Sequence, residues 1–212
     1  MAREAGSKSA LKWEVPNAVQ VIVKLEGIEP EIWRHVVVPL SCTLADLHHI
    51  IQSAFGWKDC HLHEFLIGGL RYGDVDLLNQ DRFEGDAQAF DASEVRLRDF
   101  RFFKGDGPVF TYVYDFGDHW SHKVELVKLL ALDPAPKTAS CVEGARCCPP
   151  EDVGGPHGYA EFLRVLMSPE YDELEEQKHL KRWSGGKFDP ERFDLAKTDK
   201  AVREALRKLR RK

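Results

Sequence analysis

Tyr112-Val113-Tyr114-Asp115-Phe116-Gly117-Asp118-His119-Trp120-Ser121-His122 reads as two strands meeting at a tight turn. Side chains alternate across a strand, so Tyr112, Tyr114 and Phe116 share one face, with Val113 and Asp115 on the other. Gly117-Asp118 supplies the turn residues. The second strand sets Trp120, His122, Val124 and Leu126 on one face, and Ser121, Lys123, Glu125 and Val127 on the other. Two Asp and two His therefore crowd the tip of an aromatic hairpin, where no hydrophobic periodicity requires them.

Upstream, Val19, Val21, Val23 and Leu25 alternate as the inward face of a strand. A turn at Gly27 to Pro30 leads to a second strand over Glu31 to Val38, and the pair reads as an antiparallel hairpin. Both faces of the second strand carry apolar groups (Ile32, Arg34, Val36, Val38 against Trp33, His35, Val37), which places it centrally or under a helix. Pro39 ends it, and Thr43 is a good N-cap. Leu44, Leu47, His48, Ile51 and Phe55 then form one apolar helical stripe, closed by Gly56, with His48 read as a locally bonded core histidine. His61 to Ile67 predicts a third strand carrying His61 and His63 on one face. Residues 74–93 read as a long polar surface loop.

Downstream, the stretch from Cys141 to Tyr159 reads as loop throughout. Helices are expected at about 159–167, from Glu170 to about Trp183, and after a cap at Asp194 through Leu195, Val202, Ala205, Leu206 and Leu209. The domain reading is a flexible leader over 1–17 and one domain over 18–212, whose 159–212 portion is helical.

Composition bounds the function. Hydrophobic content of 43% in 212 residues is enough for a core without disulfide staples. Five cysteines, an odd number, argue against a disulfide framework and for a reducing compartment, the cytoplasm by default. No apolar run approaches a membrane span, and residues 1–17 lack the apolar core of a secretory signal. The formal charge of -5 excludes polyanion binding by bulk charge, but its distribution is uneven: 197–212 carries a net +6, which leaves -11 for the rest. This basic segment is either a solvated helix end or a contact for nucleic acid or an acidic protein partner.

Two constellations could carry chemistry. In the hairpin tip, Asp115, Asp118, His119 and His122, beside Trp120, could hold a divalent cation or supply an acid and a base. In the second, Pro149-Pro150 stiffen the approach to Glu151-Asp152, just before Gly154-Gly155 and Tyr159. Glycines ahead of a helix resemble an anion cradle, which the flanking carboxylates oppose unless a metal bridges them to a phosphate. The competing reading is a tight structural loop whose acids cap the helix. Cys141 and Cys147/Cys148 suggest zinc, but at a spacing wider than the usual zinc pairs, so further ligands such as His157 or His119 would be needed. The candidate metal set is Asp115, His122, Cys141, Cys148 and Glu151. No hydrolase elbow, phosphate loop or zincin helix motif is present.

At these residues the chain resembles the plasmid pRiA4b ORF-3-like family, whose members are often labelled passenger proteins of an insertion element. Ile32-Trp33-Arg34 through Phe55-Gly56-Trp57 and His61-Leu62 carry one block, Tyr112 to Asp118 with Trp120 and His122 the second. Cys141, Gly144, Cys148-Pro149-Pro150-Glu151-Asp152, Gly154-Gly155 and Gly158-Tyr159 carry the third. The resemblance implies an α+β domain: a mainly antiparallel sheet with helices packed on it and a C-terminal helical segment. It implies no reaction, and nothing here supplies the nucleophilic serine among arginines that a serine recombinase needs. His63 stands where relatives commonly carry an aromatic, which weakens a His61/His63 metal pair. The expectation is a binding or accessory domain of mobile-element origin, working through the two polar stretches on a protein or nucleic-acid partner. The alternative is a metal-dependent hydrolase or nuclease using the same Asp, Glu and His residues.

Overall fold

The computed structural model describes residues 15–79, 87–168, 175–186 and 188–209. Eight strands form one sheet: β1 (Ala18–Leu25), β2 (Ile32–Pro39), β3 (His63–Ile67), β4 (Leu70–Gly73), β5 (Ala89–Asp91), β6 (Val109–Tyr114), β7 (Trp120–Leu130) and β8 (Ser140–Ala145). Their order is β5-β4-β3-β6-β7-β1-β2-β8, antiparallel except for the parallel β4–β5 pair. The helices are α1 (Leu44–Phe55), the single turn α2 (Val75–Leu78), α3 (Gly155–Met167), α4 (Glu175–Trp183) and α5 (Leu195–Leu209). The expected α+β class, mainly antiparallel with a C-terminal helix, is the one observed.

Register carries the alternation across the sheet. Phe65 pairs with Tyr112, Tyr112 with His122, His122 with Leu25, and Leu25 with Ile32, one row of inward side chains. All five are buried. The opposite face of β2 (Trp33, His35, Val37) is only half-buried. The helices thus cover one face of the sheet, and the core is one continuous cluster between them.

α1 forms as expected. Thr43 and Asp46 make a reciprocal capping box, and Gly56 closes the helix at φ +85°. α5 is capped by Asp194, whose Oδ1 accepts from the Lys197 amide at 3.0 Å. Along α5 Val202, Ala205 and Leu206 are buried, while Lys200, Arg203 and Arg207 face solvent.

Several expectations are overturned. Phe116 does not share the inward face of Tyr114. β6 ends at Tyr114, and the left-handed backbone of Asp115 (φ +57°) breaks the alternation, leaving Phe116 exposed. The 141–159 stretch is not all loop: Ser140–Ala145 pairs with β2, and α3 begins at Gly155. The polar 74–93 stretch contributes α2 and β5, with 80–86 outside the described residues. Most of the 1–17 leader, and 170–174 of the helix expected from Glu170, also lie outside them.

Arg34 pins α1, β2 and the end of β8 together. Its guanidinium donates to four carbonyls: Ala54 at 2.9 Å, Trp33 and Ala145 at 2.7 Å each, and Arg146 at 2.9 Å. It lies between the Phe55 and Phe193 rings, 5.0 and 4.5 Å from their centroids. Lysine presents three donors at one point and cannot span that fork. Arg34→Lys is therefore expected to cost about 2–3 kcal/mol through carbonyls left without donors, measured by urea denaturation. A midpoint equal to that of the unaltered protein would show that the carbonyls need no fork.

Candidate functional site

The hairpin tip and the Pro-Pro-Glu-Asp loop meet. Asp118 Oδ2 accepts from the Gly154 amide at 3.0 Å, and a Cβ on Gly155 would lie 2.4 Å from the Asp118 carbonyl oxygen. The bend after α1 closes the junction from a third side. Trp57 Nε1 donates to the Pro149 carbonyl at 3.1 Å, and the Lys58 amide donates to Glu151 Oε1 at 2.6 Å. Glu151 also lies 3.2 Å from the Tyr114 hydroxyl, which accepts from the Cys60 amide.

His61 sits where the three segments converge. Its Nε2 lies 3.1 Å from Asp152 Oδ1, 3.5 Å from Asp115 Oδ2 and 3.9 Å from Glu151 Oε2. That nitrogen is shielded from solvent yet makes no hydrogen bond, because the nearby oxygens lie outside hydrogen-bond geometry. Donor atoms of His61, Asp115 and Asp152 all fall within 4.8 Å of one another, as do those of Cys60, His61 and Glu151. Three carboxylates around one imidazole nitrogen match the donor chemistry of a divalent cation site.

The backbone is bent to build this arrangement. Six described non-glycine residues have positive φ, and four of them are Asp59, Asp115, His119 and Asp152. Such conformations cost about 1 kcal/mol or more each and persist where surroundings impose them. Asp115 divides its carboxylate. Oδ1 caps the turn, accepting from the Gly117 amide at 2.9 Å and the Asp118 amide at 3.3 Å, while Oδ2 faces His61. One side of the centre is open, since the Asp152 side chain is 67% exposed against 27% for His61 and 11% for Asp115. Asp152 also lines a groove of about 440 Å³ between α3 and α4, with Phe162 and Trp183, and His61 lines a cavity of about 180 Å³ with Asp59 and Asp74.

Behind His61 a closed hydrogen-bonded ring fixes the bend. The Asp59 amide donates to Gln52 Oε1 at 3.0 Å, and Gln52 Nε2 donates to the Tyr112 hydroxyl at 3.1 Å. Tyr112 donates to His48 Nδ1 at 2.7 Å, and His48 Nε2 donates to Asp59 Oδ1 at 2.7 Å. This direction follows from Gln52, whose amide must offer oxygen to Asp59 and nitrogen to Tyr112. His48 is then neutral, in keeping with burial that pushes its pKa down. Hydrogen bonds from His48 and then His49 hold the Asp59 carboxyl far below the usual range. His63 stacks on His48 with centroids 3.4 Å apart, and burial together with that neighbour pushes its pKa down to about 3. The reading of His48 as a bonded core residue holds.

The structure sorts the residues singled out from sequence. Asp115, Asp118, Glu151, Asp152, Gly154 and Gly155 come together at the junction. His119 is exposed at the turn, its amide donating to the Asp115 carbonyl at 2.6 Å. Trp120 and Tyr159 are core residues. The metal set needs correction. His122 is fully buried, and its Nδ1–H is shared between the Trp120 and Tyr112 carbonyls at 3.0 and 3.2 Å, with the Phe55 and Trp57 rings around it. Cys141 offers its thiol to the Glu143 carbonyl and Cys148 is buried near Arg34. None of the three belongs to a group of converging donors among the described residues. Cys60 was not singled out from the sequence, and His61 only as a partner of His63; here both belong to converging donor groups. Strand alternation pairs His61 with His63, but β3 begins at His63, and His61 lies in the bend, turned towards Asp115 while His63 turns to His48. The Phe-Gly-Trp helix stop just before His61 was the available signal that a bend, not a strand, precedes residue 63.

A family model described as plasmid pRiA4b ORF-3-like protein matches residues 17–197. A protein of Sinorhizobium fredii (strain NBRC 101917 / NGR234), y4hQ, described as uncharacterized, is 35% identical over 201 residues, which are 93% of this chain and 97% of that one. The crystal structure of MM3350 from Methanosarcina mazei Go1, described as a protein of unknown function, superposes with a TM-score of 0.71 at 35% identity. It covers 85% of this chain and 97% of that one. Among the described residues no helix is long and apolar enough to cross a membrane.

Proposed function

The chain belongs to the plasmid pRiA4b ORF-3-like family, and from that premise we propose that it is a divalent-cation-binding accessory domain of plasmid or mobile-element origin. Its working site is the junction of the 112–122 hairpin with the 149–155 loop. One observation carries the reading: the donor atoms of His61, Asp115 and Asp152, from three separate segments, lie within 4.8 Å of one another around a nitrogen with no hydrogen bond. Such a cation would neutralise the carboxylates and leave coordination positions on the Asp152 side for an oxygen-bearing protein or nucleic-acid partner.

Calorimetric titration with Zn²⁺, Mn²⁺ and Mg²⁺ tests this. Asp115→Asn keeps the oxygen that caps the turn, so the fold is preserved while an anionic ligand is removed. Affinity is expected to fall about tenfold or more in Asp115→Asn and in Asp152→Asn. Absence of binding in the unaltered chain, or equal affinity in all three proteins, would refute the site.

A hydrolytic reading is favoured by Glu151. Its carboxylate stands beside the His61–Asp115–Asp152 triplet, held by the Lys58 amide and the Tyr114 hydroxyl, where it could take a proton from metal-bound water. Cation-dependent cleavage of a chromogenic phosphodiester, lost in Glu151→Gln with cation affinity retained, is the expected result for an enzyme. Equal rates with and without protein would leave the accessory-domain reading in place.

A further inference from the structure

The thiol of Cys60 gives the same centre a second kind of donor. Cys60 is exposed, in the bend between the Asp59 ring and β3, with its amide bonded to the Tyr114 hydroxyl at 3.1 Å and its Sγ 3.8 Å from that oxygen. Its sulfur, a His61 nitrogen and a Glu151 oxygen lie within 4.8 Å of one another, so His61 belongs to two overlapping donor triplets, one of oxygens and nitrogen, the other including sulfur. No other cysteine joins a converging group among the described residues. Oxygen-only sites suit magnesium and calcium, whereas imidazole with thiolate suits zinc and cobalt. With metal–sulfur and metal–nitrogen bonds of about 2.3 and 2.0 Å, the donors of a tetrahedral site stand roughly 3.5 Å apart. Within each triplet the donors already lie within 4.8 Å of one another, close to that spacing.

Resting on the reading of His61 as a cation ligand, we infer that Cys60 is a further ligand and that the centre selects a thiophilic cation, Zn²⁺ or Co²⁺, over Mg²⁺ and Ca²⁺. The Cys60 Sγ–H bond breaks as the metal–sulfur bond forms, and the proton leaves to buffer. Asp59 and the ring behind it act as positioning groups, holding the residue before the thiol.

Titration of the full chain with Co²⁺, followed by calorimetry and absorbance, tests the assignment. The expected result is a near-ultraviolet thiolate-to-cobalt charge-transfer band that is lost in Cys60→Ser and kept in Cys147→Ser. Zinc affinity should fall about tenfold in Cys60→Ser, with circular dichroism unchanged. Cobalt binding with ligand-field bands but no charge-transfer band would overturn the thiolate assignment and leave the cation site standing. A band that survives in Cys60→Ser would place the thiolate elsewhere and overturn it as well. No cobalt or zinc binding at all would overturn both this inference and the cation reading.

Discussion

Gly155→Ala is expected to unfold the junction and, with it, to abolish the cation binding proposed above. Gly155 has φ +68°, and a Cβ there would stand 2.4 Å from the Asp118 carbonyl oxygen and 3.3 Å from its carbon. Both are backbone atoms of the hairpin turn, so no side chain can swing aside. The α3 start and the hairpin would have to separate, breaking the Gly154–Asp118 hydrogen bond and drawing Asp152 away from His61. Gly154→Ala is the control. Gly154 has φ +91°, but its Cβ would meet only the Gly158 Cα at 3.5 Å. Backbone strain alone predicts a loss of about 1–2 kcal/mol at Gly154, and strain plus overlap about 3 kcal/mol or more at Gly155. Urea denaturation with parallel zinc titration measures both. Equal losses at the two positions would mean that the two backbones do not need this close approach.

Acid is expected to destabilise the fold through His122. Burial pushes its pKa down to about 4, the Tyr112 and Trp120 carbonyls opposing that shift only in part. Nδ1 carries the proton shared by those carbonyls, and Nε2 is a bare lone pair walled in by rings. A second proton would place a charge there with no acceptor. The unfolded chain has an ordinary histidine near 6.5, so it takes up the proton first as pH falls. The stability that His122 contributes is fully present above about pH 6.5 and is lost progressively towards pH 4. Two and a half pH units correspond to about 3 kcal/mol. Denaturation curves between pH 7 and 4 should show that slope in the unaltered chain and a shallower one in His122→Gln, even if that variant is less stable throughout. Parallel slopes would show that His122 does not set the acid response.

The two predictions mark different depths of legibility. His122 could be placed on the inward face of its strand from alternation alone, beside Trp120 and Val124. Whether it is a ligand depends on what stands opposite, and the register puts Tyr112 and Leu25 there, with no carboxylate. Asp115 and Glu151 were both singled out, but their meeting is not a local property. It needs α1 to place the Trp57–His61 bend and β8 to bring the Pro149-Pro150 segment back along β2.

The amino-acid order by itself determined the strands of the two hairpins, α1 with its capping box and glycine stop, the cap of α5, and the two polar stretches. These follow from periods of two and 3.6 residues and from side-chain-to-backbone bonds that span a few positions. Only the tertiary structure decided that Ser140–Ala145 is a strand, since its pairing comes from an edge of β2 more than a hundred residues earlier. It alone decided that Phe116 leaves the core and that, among the described residues, His122, Cys141 and Cys148 stand apart from the donor groups around His61. It also brought His61 and Cys60 beside the carboxylates, because donors far apart in sequence become neighbours only where the Trp57–Pro149, Lys58–Glu151 and Gly154–Asp118 hydrogen bonds hold three segments to one point.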